Sequence, residues 1–282
     1  MGKFDGVLIA SDFDNTMVYT EGALRSGKRI MPPVSHENRE AVEYFMAQGG
    51  TFSIATGRAL PAFQQVRAGI PMNGPTILFN GAAIYDFQRD KYIHTAFLPE
   101  DVRGHVKELL RDLPGLAMEI YHDDNSIHAV NPNHLTRSHE HLTHSPTETL
   151  PSIDAAPLPI SKILFEEEGE RLEHLLELLH SYEWSRDYEI VPSSSFLVEL
   201  TIQGANKGGA VGKLAQLLGI QRENVYCVGD HANDIPMLRY SHIPYAPDNA
   251  IEAVHQVEGI HILPHCKDNA IAAMIRELDG LY

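Results

Sequence analysis

Only two cysteines, Cys227 and Cys266, occur in 282 residues. That is too few for a disulfide framework, and both fall in segments that read as a buried strand and a late loop, so a reducing, cytoplasmic setting is expected. Long apolar runs are missing as well. No stretch approaches the roughly 20 residues needed to span a bilayer, and "MGKFDGVLIASDFD" lacks the apolar run of a signal peptide, which leads to the expectation of a soluble protein with no membrane partner. Positive charge is in deficit, with 22 Lys and Arg against 38 Asp and Glu and a formal net charge of -16. Such a surface repels nucleic acid and anionic membranes unless a local basic patch overrides the field. It repels a small phosphorylated ligand too, so a site for one must carry its own cations. No internal repeat or low-complexity tract is evident.

What is present fits an ordinary folded chain: 43% hydrophobic and 21% charged residues, long enough for one large domain or two modest ones. "GVLIAS" reads as a buried strand, "SHENREAVEYFMAQGG" as a helix with a serine cap and a glycine stop, and "TFSIATGR" as a second strand. "PAFQQVRAGI" and "PTILFNGA" continue the alternation that implies a parallel sheet. The rhythm returns late, in "NKGGAVGKLAQLLGI", "NVYCVGD", "NDIPMLRYS" and "HIPYAP". Between them the texture changes to strands such as "LAMEIYH", "SIHAVN", "ISKILFEE" and "DYEIVP", interrupted by two helices. The expected architecture is α/β: a Rossmann-like parallel core built from residues 1–83 and 190–282, with an α+β insert over 84–189.

In open parallel sheets ligands sit beyond the carboxyl ends of the strands, where residues from separate strands meet. Four signals fall there. Asp12 and Asp14 follow the first strand, Thr56, Gly57 and Arg58 follow "FSIA", Lys207 opens a helix, and Asp230, Asn233 and Asp234 follow "NVYCVG". Two aspartates two apart raise each other's cost of ionisation unless a cation or donors compensate. An oxygen-rich acidic cluster suits Mg²⁺, which keeps water and substrate phosphate oxygens in its shell. One aspartate can then attack phosphorus while the cation and Lys207 neutralise the transferred group, and the second can shuttle the proton of the leaving oxygen.

"DFDNT", "SIATGR", the lysine of "NKGGAV" and "GDHANDIPML", in that order, resemble the four motifs of the haloacid dehalogenase superfamily. The insert and "NGAAIYD" resemble its Cof-type phosphatases with a C2B-type cap. The resemblance covers essentially the whole chain. It implies that Asp12 is the nucleophile, Asp14 the general acid/base, and Thr56, Gly57, Lys207 and Asn233 phosphate binders. It further implies a Mg²⁺ site of Asp12, the Asp14 carbonyl and Asp230, with Asp234 supporting either a metal-bound water or Lys207. The second aspartate favours phosphoryl chemistry over dehalogenation. The expected activity is Mg²⁺-dependent hydrolysis of a small phosphorylated metabolite, a sugar phosphate being the leading class. A sugar-phosphate mutase and a non-catalytic phospho-ligand sensor are the alternatives. Asn15 stands where glycine is usual, and asparagine tolerates the left-handed backbone such a turn requires.

Other residues admit plainer readings. Thr56 and Asp230 could each cap the helix that follows them. Arg58 could pair with an acidic group at the cap boundary or touch substrate. Asn80 and Gly81 read as a hinge turn into the cap, with Asn80 also a candidate substrate contact. Glu199 could be a core-face acid near the crevice. His134, His139, His141 and His144 read as water-facing residues of a polar segment rather than metal ligands, and "EEEGE" at 166–170 as a solvated strand end. Nothing in the sequence sets the oligomeric state.

Overall fold

The computed structural model describes residues 2–20, 32–143 and 145–282, so His144 lies outside the described residues. The chain begins with β1 (Leu8–Ser11), α1 (His36–Ala47), β2 (Thr51–Ile54), α2 (Leu60–Arg67), β3 (Thr76–Leu78), β4 (Ala83–Asp86) and β5 (Lys91–Thr95). Its middle holds α3 (Val102–Asp112), β6 (Ala117–Tyr121), β7 (Ile127–Val130), α4 (His134–Thr143), β8 (Glu148–Leu150), β9 (Lys162–Glu166), α5 (Glu170–Ser181), β10 (Tyr188–Ser194) and β11 (Leu197–Ile202). The last part holds α6 (Lys207–Leu218), β12 (Val225–Val228), α7 (Ile235–Tyr240), β13 (Ile243–Pro247), α8 (Glu252–His255), β14 (His261–Leu263) and α9 (Ala270–Asp279). Among the described residues no helix is long and apolar enough to cross a membrane.

The core unit comprises Met1–Arg58, Phe63–Ile93 and Lys207–Tyr282. Its five-stranded sheet runs β14-β13-β12-β1-β2, every neighbouring pair parallel. β1 and β12 are buried at every residue, as expected of inner parallel strands covered on both faces, which is why they read as unbroken apolar runs rather than alternating ones. Parallel neighbours require crossovers, and helices supply them. Helix α1 starts where Ser35 accepts the Asn38 amide at 3.2 Å, the cap its sequence announces. The carboxyl ends of β1 and β12 emerge side by side, and the Asp12 amide donates to the Val228 carbonyl at 2.9 Å.

The insert comprises Ala59–Ala62 and His94–Asn206, a departure from the expected 84–189. β4 joins β3 and β5 in a three-stranded sheet, which keeps residues to 93 with the core. β11 pairs antiparallel with both β10 and β9, which carries the insert through to residue 206. Glu199, expected in the core, therefore sits in the insert's sheet.

That sheet has the order β10-β11-β9-β6-β7-β8. Strand alternation sends Met118, Ile120, Ile163, Phe165, Val198 and Leu200 into an apolar core with Val102, Val106 and Leu109 of α3 and Leu175 and Leu179 of α5. The opposite face carries Glu119, Tyr121, Lys162, Glu166 and Glu199, all buried. Two expectations fail here. Glu166 is fully buried rather than solvated, because it continues the inward register of Lys162 and Leu164. His139 does not face water, since α4 turns it onto Glu119, its ring nitrogen lying 3.0 Å from both carboxylate oxygens. His134 and His141 are exposed as expected.

Candidate active site

β1 ends at Ser11, and the two aspartates lie on the turn beyond it. The Met17 and Val18 amides both return to the Phe13 carbonyl at 3.1 Å, closing a loop that requires a left-handed residue. Asn15 supplies it with φ 57°; its side-chain oxygen accepts the Thr20 amide at 3.1 Å, and Asn249 donates to its carbonyl at 2.8 Å. Asparagine thus takes the left-handed position that glycine would fill, and its side-chain oxygen adds a bond that glycine cannot make. The turn leaves Asp12 buried at 6% exposure and the Asp14 side chain a third exposed, two different environments for one residue type.

Lys207, the first residue of α6, is 1% exposed and places Nζ 2.6 Å from Asp12 Oδ1 and 2.6 Å from Asp234 Oδ1. A β-carbon on Gly208 would stand 2.4 Å from the Pro236 carbonyl oxygen, so glycine there lets α6 approach the start of α7. The second oxygen of Asp234 accepts the amides of Asp230 and His231, each at 2.9 Å. With both oxygens engaged, Asp234 ties Lys207 to the loop that presents Asp230. Gly229 allows this, since a β-carbon there would lie 2.5 Å from Asp234 Cβ.

The third strand end carries Thr56, buried at 1% exposure. Its hydroxyl accepts the Arg58 amide at 3.2 Å and still has a proton to donate. Arg58 grips Asp14 with Nε to Oδ2 at 2.9 Å and a terminal nitrogen to Oδ1 at 2.8 Å. Of the two roles open to Arg58, the structure shows a pair with an acid, and that acid is the site's own Asp14. The "FNG" turn folds back on this segment: the Asn80 amide donates to the Thr56 carbonyl at 3.1 Å, and Asn80 adopts φ 53°. Its side-chain oxygen accepts Asn233 Nδ2 at 2.9 Å, while its own Nδ2 is buried without a partner among the described residues. A β-carbon on Gly57 would sit 3.1 Å from that Asn80 amide.

Charge is unbalanced. Oxygens of Asp12, Asp230 and Asp234 lie within 4.8 Å of one another, and among the described residues Lys207 is the one ammonium bonded among them, so these three carboxylates and one cation carry a net −2 when all are ionised. Burial drives the Asp12 carboxyl well above its usual range, with Asp234, Asp230 and Asp14 adding to the rise against the pull of Lys207. Burial and Asp234 push Asp230 up to about 7. Burial alone would lower the Lys207 ammonium, but Asp12 and Asp234 outweigh it and hold it charged. Asp12 and Asp230 bring carboxylate oxygens within 4.8 Å of each other, a repulsion that a proton or a cation between them relieves. A hard divalent cation among these oxygens fits the donor set and offsets the excess charge.

Residues 9–275 match the family of haloacid dehalogenase-like hydrolases. The chain belongs to that family. Within it, the chain is 24% identical over 296 residues to YwtE of Bacillus subtilis (strain 168), a 5-amino-6-(5-phospho-D-ribitylamino)uracil phosphatase, covering 96% of this chain and 97% of YwtE. Its fold matches TM0651 from Thermotoga maritima with a TM-score of 0.78 at 21% identity over 96% of this chain and 97% of the other. It matches the haloacid dehalogenase subclass IIB sugar phosphatase BT4131 with a TM-score of 0.77 at 20% identity, covering 97% and 99%. The haloacid dehalogenase-type chain described here is a phosphoric monoester hydrolase.

The residues singled out from the sequence fall into two hydrogen-bonded sets that the backbone joins at 12–14 and 233–234: Lys207 with Asp12 and Asp234, the latter also holding the Asp230 amide, and Asn233 on Asn80, Asn80 and Arg58 on Thr56, and Arg58 on Asp14. Asn80 does more than form a hinge, since its side chain lies in the second set. Thr16 was missed. It donates to Asp230 Oδ1 at 2.8 Å, and its position four residues after Asp12, inside the quoted "DFDNT", was the available signal.

Proposed function

We propose that this hydrolase removes the phosphoryl group of a small phosphorylated metabolite, a sugar phosphate or closely related polyol phosphate, by way of an aspartyl-phosphate on Asp12, with Mg²⁺ as cofactor. The observation that carries the reading is the grouping of Asp12, Asp230 and Asp234 oxygens within 4.8 Å of one another around the Lys207 ammonium, three carboxylates against one cation among the described residues. When bound between Asp12, Asp230 and the Asp14 carbonyl, Mg²⁺ would supply the charge neutralisation that lets a carboxylate approach a phosphoryl dianion.

Lys207 holds Asp12 Oδ1, which fixes the carboxylate's rotamer and leaves its bond to phosphorus to be formed at a preset angle. Lys207, the Thr56 hydroxyl and the Asn80 and Asn233 amides cradle the phosphoryl oxygens, the unpartnered Nδ2 of Asn80 among them. Asp14 gives its proton to the substrate's ester oxygen as the P–O bond breaks, then as a carboxylate takes a proton from the water that hydrolyses the acyl phosphate. Arg58 orients Asp14 for both transfers through its two-point grip. Asp234 holds Lys207 and the Asp230 loop. The substrate class is supported by YwtE, whose named substrate carries its phosphate on a five-carbon polyol chain.

Phosphate release from a panel of sugar, polyol and nucleotide phosphates, with Mg²⁺ or with chelator, tests the reading. Metal-dependent release highest on sugar or polyol phosphates supports it, and equal release with chelator present overturns the cofactor assignment.

A further inference from the structure

The insert carries a second cluster of ligating side chains that the phosphatase reading does not use. Glu119 on β6 and Glu166 on β9 lie on the polar face of the sheet, 1% and 0% exposed. Register places Ala117 opposite Glu166, so Glu119, two residues along, projects from the same face. Helix α4 brings two more groups onto this pair from one of its faces, Thr136 and, one turn later, His139. The Tyr121 hydroxyl donates to Glu119 Oε2 and the Thr136 hydroxyl to Glu166 Oε2. His139 Nδ1 stands 3.0 Å from each oxygen of Glu119. One atom each from Glu119, His139 and Glu166 lie within 4.8 Å of one another.

Glu166 Oε1 completes the observation. It is buried and accepts no hydrogen bond among the described residues, although an unsatisfied carboxylate oxygen is among the costliest groups to bury. We propose that Glu119, His139 and Glu166 form a metal site for a divalent cation of the zinc type. Donor atoms of the three residues already lie within 4.8 Å of one another, so small side-chain rotations bring them to the bonds of ~2.0–2.2 Å that such a cation makes to nitrogen and oxygen, with His139 giving up its proton to Glu119 or to solvent. An imidazole in the donor set selects against Mg²⁺, which prefers oxygen throughout, and in favour of Zn²⁺. Tyr121 and Thr136 hold the far oxygens of the two carboxylates, the orienting contacts that metal-bound carboxylates commonly have. The His139 side chain, 16% exposed, gives the cation a way in. Bound there, the metal would pin α4 to β6 and β9.

The test uses the full chain carrying Asp12→Asn and Asp230→Asn, which disables the core acidic cluster, stripped with chelator and titrated with Zn²⁺ by calorimetry. One equivalent should bind, excess Mg²⁺ should not displace it, and Glu166→Gln and His139→Gln should each weaken it at least tenfold. Circular dichroism checks that each variant is folded, and His139→Gln, at a half-buried helix position, decides the matter if the buried Glu166 change disturbs folding. X-ray absorption of the loaded chain should show mixed nitrogen and oxygen ligands. No stoichiometric Zn²⁺, equal competition by Mg²⁺, or Zn²⁺ affinity untouched by either substitution would overturn the site. Those results would leave two carboxylates sharing a proton, or scattered binding to exposed histidines.

Discussion

Arg58 holds Asp14 through two hydrogen bonds, at 2.9 and 2.8 Å, one to each carboxylate oxygen. That geometry belongs to a planar guanidinium and cannot be copied by an ammonium. Arg58→Lys should therefore lower kcat on an alkyl phosphate by about tenfold to a hundredfold, a fraction of the ~10²–10⁴-fold that a positioned proton donor contributes. The loss should be much smaller with p-nitrophenyl phosphate, whose leaving group needs little protonation. Equal losses on both substrates would remove Arg58 from the positioning of Asp14.

The chain from Lys207 through Asp234 to the Asp230 loop makes Asp234 a structural keystone of the site. Asp234→Ala leaves a buried ammonium with one partner and two backbone amides with none. Breaking one side of a buried ion pair costs on the order of 3–5 kcal/mol, so chemical denaturation should show a loss of that size together with a fall in kcat. An unchanged midpoint would mean that the loop holds itself.

Asn80 offers a separable test, because its left-handed backbone and its side chain can be perturbed apart. Asn80→Gly keeps the φ of 53° without strain while deleting the amide proposed to touch the phosphoryl group. KM and inhibition by inorganic phosphate should each weaken by about tenfold, the size of one hydrogen bond to a charged group, with little change in melting temperature. Asn80→Ala should show the same binding loss plus a lower melting temperature. Unaltered KM in both would place phosphate recognition elsewhere.

The pH dependence of the metal-free chain follows from Asp230, which burial and Asp234 push up to about 7. Between its ordinary value near 4 and this raised value, the folded state keeps a proton that the unfolded state has released. The Asp230 contribution to stability is therefore fully present below about pH 4, falls as pH rises toward 7, and is flat beyond. With chelator present, wild type should lose melting temperature relative to Asp230→Asn across that window, and Mg²⁺ should restore wild type at neutral pH while leaving the variant unmoved. A difference independent of pH and metal would contradict the assignment.

Much of the core was legible because local signals and tertiary placement agree there. "LIAS" and "VYCV" are buried on both faces and read as such, and the motifs that follow them end at the carboxyl edge where parallel sheets gather ligands. The insert was less legible for a physical reason: its partners are set by antiparallel register between distant strands. No local pattern says that β11 pairs with β9, which moved the boundary from 189 to 206. The same register buries Glu166 beside Glu119, whereas the run "EEEGE" taken alone reads as solvated. His139 was obscured by its exposed neighbours His134 and His141, since only the helix's placement distinguishes them. The Arg58 to Asp14 grip spans 44 positions, and it depends on the "FNG" turn, whose amides bond the Thr56 and Arg58 carbonyls, so no local pattern distinguishes it from a substrate contact.

The proposed reaction passes through a phosphorylated Asp12. Acid quenching during the first turnover with a radiolabelled phosphate ester should trap label on the protein, released by hydroxylamine as an acyl phosphate should be, and Asp12→Asn should carry none. Turnover by the wild type with no trapped label, or label persisting in Asp12→Asn, would contradict the account.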